Sequence, residues 1–203
     1  MPLEFCYFRA PESEMGFLPG NRVCSLCGQH GRCFPFDNAP ATARCVGCLR
    51  LGRFGFSHDT EAGLVTEESF IPHSEPDASP RRVFVVATGG EAVVDAVPLV
   101  HPQTPHVSKG AIAELRRTPG FSTWQEIVWP VHCDDFMAYL GLWGPEEFAG
   151  AAPEAEGRQL FLGMVDSALH GDWPEDREPR FGQNYVAFQC LHCQLRTATF
   201  DID

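Results

Sequence analysis

Lysine is almost missing from this chain: Lys109 stands alone among 15 basic residues, and the other fourteen are arginine. Basic charge is scarce altogether, with 15 Lys+Arg against 27 Asp+Glu and a net charge of −12 over 203 residues. A sequence-independent nucleic-acid binder neutralises phosphates with clustered Lys and Arg, so no nucleic-acid partner is expected. Arg44, Arg50 and Arg53 form the one candidate basic cluster, and it is thin. Long apolar runs are absent too; none approaches the roughly 20 residues of a membrane span, so no membrane partner is expected. The opening MPLEFCYFRAPESEMG lacks a basic stretch followed by an apolar one, and no secretory signal is read there. No phosphate loop, dinucleotide fingerprint or His-Glu-x-x-His motif occurs.

What is present is a chain with a core. Apolar residues make up 44% of it, enough to fold. Nine cysteines in a chain without a secretory signal point to a reducing cytoplasm, where thiols serve metal binding or chemistry before disulfides. The acidic surplus is uneven: residues 1–100 carry 8 basic and 12 acidic side chains, and residues 101–203 carry 7 and 15.

Five of the cysteines lie between residues 21 and 56. Cys24-x-x-Cys27 is followed after seventeen residues by Cys45-x-x-Cys48, the spacing of a four-cysteine zinc site. Zinc takes four tetrahedral ligands, and two tight turns presenting two thiolates each close the shell. Gly28 and Gly47 are read as giving those turns their freedom. Cys33 is read as a buried apolar residue. A second pair, Cys190-x-x-Cys193, lies between two strand-like runs, Tyr185–Gln189 and Arg196–Asp201. Redox pairs favour a helix N-terminus, so metal is preferred over redox chemistry here. The missing ligands are sought at His132 and Cys133. Adjacent side chains diverge on an extended strand, so both reach one ion only if the backbone is irregular, and Pro130 is taken to provide that. The complete ligand set of this second site is His132, Cys133, Cys190 and Cys193, with His192 directed away.

Residues 57–82 are polar and proline-containing and read as a linker or insertion, with a short strand expected at Val83–Ala87 and an extended stretch at 97–107. Ser108 is positioned to cap a helix that Pro119-Gly120 stops. Ser122 or Thr123 is expected to cap another through Trp124–Trp129. Pro145 suits a first helical position, and Leu160, Phe161, Met164, Val165 and Leu169 recur at helical spacing. The expected architecture is α+β: a small zinc-ribbon-like module at 1–56, a linker or insertion at 57–107, and a mixed α/β body at 108–203 ending in a β-hairpin. One continuous domain is the alternative.

Three segments together, TPGFSTWQEIVWPVHCDDFMAYLG, YVAFQCLHCQ and FDID, resemble the CbrC family of bacterial proteins, which is associated with tolerance to nuclease colicins. The matching positions are Cys24, Cys27, Cys45 and Cys48; Thr118-Pro119-Gly120; Trp124-Gln125; His132, Cys133 and Asp135; Cys190 and Cys193; and Asp201 and Asp203. The sequence departs from that pattern in CVGCLR, where a Pro-Trp is expected between the cysteines, and in Gln194, where a glycine is expected. The resemblance implies a protein giving tolerance or immunity to an antibacterial toxin, and closed four-ligand sites read as a scaffold without catalytic activity. The acidic surplus suits a basic toxin as partner, because opposed charge speeds encounter. The loop carrying Asp172, Glu175, Asp176 and Glu178 around Trp173 is the expected contact, with the tryptophan as anchor. The alternative is a thiol- or metal-dependent enzyme in which His132, Cys133 and Asp134 or Asp135 supply base, nucleophile and orienter. Asp201 and Asp203 are read as an exposed acidic tail.

Overall fold

In a computed structural model, the described residues are 5–36, 39–73, 106–121, 123, 127–152, 157–167, 170, 173 and 184–201. They build an α+β fold of small antiparallel sheets and short helices. The N-terminal part pairs β1 (Arg22–Val23) with β2 (His30–Gly31), and β3 (Cys33–Phe36) with β4 (Ala39–Cys45), and continues into α1 (Val46–Arg50). The three-stranded sheet β5 (His58–Thr60), β6 (Gly63–Val65) and β7 (Phe70–Pro72) follows. Then come α2 (Lys109–Leu115) and the hairpin of β8 (Val131–His132) with β9 (Asp135–Phe136). The largest sheet joins β10 (Ala138–Trp143), β11 (Asn184–Gln189) and β12 (Arg196–Asp201), with α3 (Pro145–Gly150) and α4 (Gly157–Met164) between the first two strands.

The apolar run Tyr185–Phe188 shows why that sheet organises the rest. Side chains alternate across a strand. Val186 and Phe188 enter one buried cluster, with Phe5, Tyr7, Leu49, Leu115, Trp129 and Phe136, while Tyr185 and Ala187 enter another, with Phe148, Phe161 and Met164. Both faces are covered, so the sequence reads as continuously apolar rather than alternating. The first cluster extends from Phe5 to Cys190 and so crosses the expected module boundaries. The C-terminal hairpin β11–β12 is present, in full antiparallel register from Asn184↔Asp201 to Gln189↔Arg196. Asp201 is buried in it, only 3% exposed, and is no exposed tail; Asp203 lies outside the described residues.

The polar stretch after Ser57 is not a linker over its described part. His58 and Thr60 flank the exposed Asp59 in β5, Gly63 and Val65 flank the exposed Leu64 in β6, and all four are buried, as is Ala62 in the turn between. Strands of three residues carry too short an alternation to stand out from a polar composition. The expected strand at Val83–Ala87 and nearly all of the expected extended stretch at 97–107 fall outside the described residues. Ser108 does cap α2, its side chain accepting from the Ala111 N–H at 3.0 Å. Pro145 opens α3. The expected helix through Trp129 is not formed in its described part: Trp129 makes a β-bridge to Thr60, and its indole donates to the Met137 carbonyl at 2.7 Å.

Thr118 follows α2, fully buried, with its hydroxyl donating to Glu114 O and its carbonyl accepting from His58 Nε2 at 3.0 Å. Burial pushes His58 down to about 4 from an ordinary 6.5, against the raising effect of that carbonyl. The folded state therefore holds a neutral imidazole, and the unfolded chain binds the extra proton first. Stability from this residue is complete above pH 6.5 and is lost as pH falls towards 4. The difference amounts to about 3 kcal/mol across the window. His58→Gln keeps an N–H donor without titrating. Urea titrations across that range should show a steeper acid loss in the wild type than in the variant; equal slopes would remove His58 as the cause.

Candidate metal centres

The first cluster assembles at the edge of the N-terminal strands. Cys24 leads a turn in which the Gly28 N–H donates to Cys24 O and the Cys24 N–H donates to Gln29 O, both at 2.8 Å. Gly28 closes it at φ 71°, the left-handed region in which glycine carries no Cβ penalty. The second pair is built differently. Cys45 ends β4 and is the N-cap of α1, its sulfur accepting from the Cys48 N–H at 3.4 Å. Gly47 sits inside that helix and supplies no turn. Sulfur separations are 3.8 Å for Cys24–Cys48 and 3.7 Å for Cys27–Cys45. All four sulfurs lie within 4.8 Å of one another.

The electrostatics of this cluster favour a cation. Burial works against a thiolate at Cys24, yet the backbone N–H groups of Cys45, Cys27 and Leu26 bring it down to about 6. Burial and the neighbouring sulfurs push Cys48 up to about 12. Four thiolates this close repel one another, and a divalent ion lets all four ionise together. The Arg53 guanidinium reaches within 4.0 Å of Cys48 Sγ. Cys33 stands apart, fully buried, its thiol facing the carbonyls of Arg22 and Gly31.

The second cluster joins two hairpins. His132 Nδ1 lies 3.2 Å from Cys133 Sγ and 3.4 Å from Cys193 Sγ. With Cys190, these ligand atoms also lie within 4.8 Å of one another. Cys133 and Asp134 form the two-residue loop between β8 and β9, both at positive φ, 54° and 58°, as a type I′ hairpin turn requires. This turn, rather than Pro130, supplies the irregular backbone that lets adjacent His132 and Cys133 face one centre. Cys190–Leu195 repeats the Cys24–Gln29 turn: the Cys190 N–H donates to Leu195 O at 2.8 Å and the Gln194 N–H to Cys190 O at 3.2 Å. Gln194 takes the position of Gly28 at φ 63°. Its amide holds the strained turn by accepting from Gln189 Nε2 and donating to Leu191 O.

Asp135 accepts from the Tyr7 hydroxyl at 2.5 Å and pairs with His192 Nε2 at 2.9 Å. Asp135 therefore orients His192 and not His132, which faces the sulfurs of Cys133 and Cys193. The pairing of His192 with Asp135 carries no signal in the sequence, since 57 residues separate them. Trp173 is half-buried against Phe148 and Phe161, with ring centroids at 6.2 and 5.1 Å. Asp172, Glu175, Asp176 and Glu178 lie outside the described residues, as does Trp124. Among the described residues, no helix is long and apolar enough to cross a membrane.

Fold and clusters together define a small α+β protein with two four-ligand centres, one of four cysteines and one of a histidine with three cysteines, both compatible with metal binding. The chain belongs to UPF0167, described as an uncharacterised protein family, which matches residues 3–202. A UPF0167 protein of Mycobacterium bovis and one of Mycobacterium tuberculosis are each 28% identical over 166 residues, covering 77% of this chain and 81% of theirs. A UPF0167 protein of Pseudomonas aeruginosa is 29% identical over 112 residues, 49% of this chain and 57% of its own. No solved structure matches. These matches correct the family resemblance drawn from the sequence: the family found is UPF0167, and neither its description nor the relatives' names carry CbrC or colicin tolerance.

Proposed function

We propose that this chain is a non-catalytic zinc-binding protein with two closed sites, a structural centre at Cys24, Cys27, Cys45 and Cys48 and a clasp at His132, Cys133, Cys190 and Cys193. The observation that carries the reading is the convergence of four soft or borderline ligand atoms within 4.8 Å at each place. Thiolate-rich tetrahedral sets suit zinc among the common divalent ions, and four protein ligands leave no position for substrate. A reducing cytoplasm fits such a site, because its ligands must stay thiolates. A basic protein is the partner class this reading takes, an antibacterial toxin being one; its support is the net charge of −12 alone.

Elemental analysis of freshly purified, reduced protein should find about two zinc ions per chain. Cobalt substitution should give the visible bands of tetrahedral thiolate sites, and Cys24→Ser and Cys190→Ser should each remove one ion. Metal-free protein with all nine thiols freely titratable would overturn the reading.

A further inference from the structure

The two clusters differ in a way that bears on oxidation. In the first, Cys24 and Cys48 are 1% and 2% exposed within the main core cluster, Cys27 and Cys45 are partly covered, and none of the four is exposed. In the second, Cys133 and Cys193 are exposed and only Cys190 is buried. The three non-glycine residues with positive φ among those described, Cys133, Asp134 and Gln194, all belong to the second. Such conformations are disfavoured for residues that carry a Cβ and persist where surrounding contacts enforce them. The second centre is thus an accessible, strained clasp between the β8–β9 turn and the Cys190–Leu195 turn, and the first is a sheltered one.

We propose that the second centre is an oxidation-sensitive metal site, in which Cys133 and Cys193 form a disulfide on exposure to a peroxide and the ion is released. This rests on the reading that His132, Cys133, Cys190 and Cys193 hold a metal. One exposed thiolate attacks a peroxide oxygen, breaking the O–O bond and giving a sulfenic acid and the first water. The other thiolate attacks that sulfur and expels hydroxide, which takes a proton as the second water. Two thiolates lose two electrons, one S–S bond forms, and two protons come from solvent. Only Cys190 and His132 then remain as donors, too few to close a tetrahedral shell.

The release has a structural readout. Asp135, one residue beyond the strained turn, ties Tyr7 on the N-terminal segment to His192 inside the Cys190–Cys193 turn. Once the ion has left, the Cys133–Cys193 disulfide and this three-way contact hold the two turns together, while the buried Cys190 and His132 lose their shared partner.

The test uses the zinc-loaded chain carrying Cys6→Ser, since Cys6 is an exposed thiol outside both clusters. Zinc is first counted in the reduced protein. Hydrogen peroxide is then added, with a chromophoric chelator reporting released zinc and peptide mapping locating the disulfide. About half of the bound zinc should be released, with a Cys133–Cys193 link, and a dithiol reductant plus zinc should restore the starting state. Reduced protein with only the first-site ion would sink the second-site reading, and this proposal with it. Two ions per chain that both survive peroxide, or leave together, or a disulfide among Cys24, Cys27, Cys45 and Cys48, would overturn the proposal and leave that reading standing.

Discussion

Cys27→Ser should cost the protein its first metal ion and unfold the strands and helix around it. The hydroxyl is a poor replacement for a thiolate, and the remaining sulfurs, Cys24, Cys45 and Cys48, would face one another within 4.8 Å without a closed shell. Structural zinc contributes about 10–16 kcal/mol of apparent binding energy in small zinc modules. Whole domains are stable by only about 5–15 kcal/mol, so few cores survive that loss. Here the cluster is part of the main core, where Cys24 and Cys48 lie with Phe34, Leu49 and Phe54. The damage should therefore spread beyond the turns. Zinc analysis together with hydrogen exchange across residues 22–50 would measure it. Cys33→Ala is the control: Cys33 pairs with Cys45 across the β3–β4 ladder but lies outside the cluster, so this variant should keep the ion. If Cys27→Ser retains zinc and native protection, the first site is not structural.

Gly63→Ala should be the most damaging single-methyl change in the β5–β7 sheet. A Cβ at Gly63 would lie 2.3 Å from the Ile71 carbonyl oxygen and 2.7 Å from Pro72 Cα, and both obstacles are backbone. The residue also sits at φ 146°, which L side chains rarely adopt. β7 would have to move off β6, and the fully buried Thr60 would suffer with it. Its hydroxyl donates to Gly63 O at 2.6 Å and accepts from the N–H groups of Ala62 and Gly63. A clash with fixed backbone plus a broken buried network places the loss above about 3 kcal/mol. Chemical denaturation gives the number, and a loss under about 1 kcal/mol would mean that the β6–β7 pairing adjusts freely.

Much of the local structure was legible because its causes are local. Ser108 before an apolar-periodic segment, Pro145 at a helix start and the β-branched and aromatic runs flanking Cys190-x-x-Cys193 each act within a few residues. The 24/27/45/48 spacing was legible for the same reason: a Cys-x-x-Cys turn is a short-range object. What was misread has long-range causes. The residues after Ser57 look like a linker until Thr60, Ala62 and Val65 are seen under the core. Asp201 looks like a tail until β12 pairs with β11.

The sequence alone determined which donors exist and that each Cys-x-x-Cys pair presents two sulfurs together, since peptide geometry limits the reach of so short a stretch of chain. Tertiary structure decided everything that depends on what arrives from elsewhere. It brings His132 and Cys133 to a pair some sixty positions away in the chain. It turns the chain between β8 and β9 through two left-handed residues, gives Asp135 to His192 instead of His132, and covers the first centre more fully than the second. Burial is a sum over contacts made by distant segments, and no spacing within a single segment encodes it.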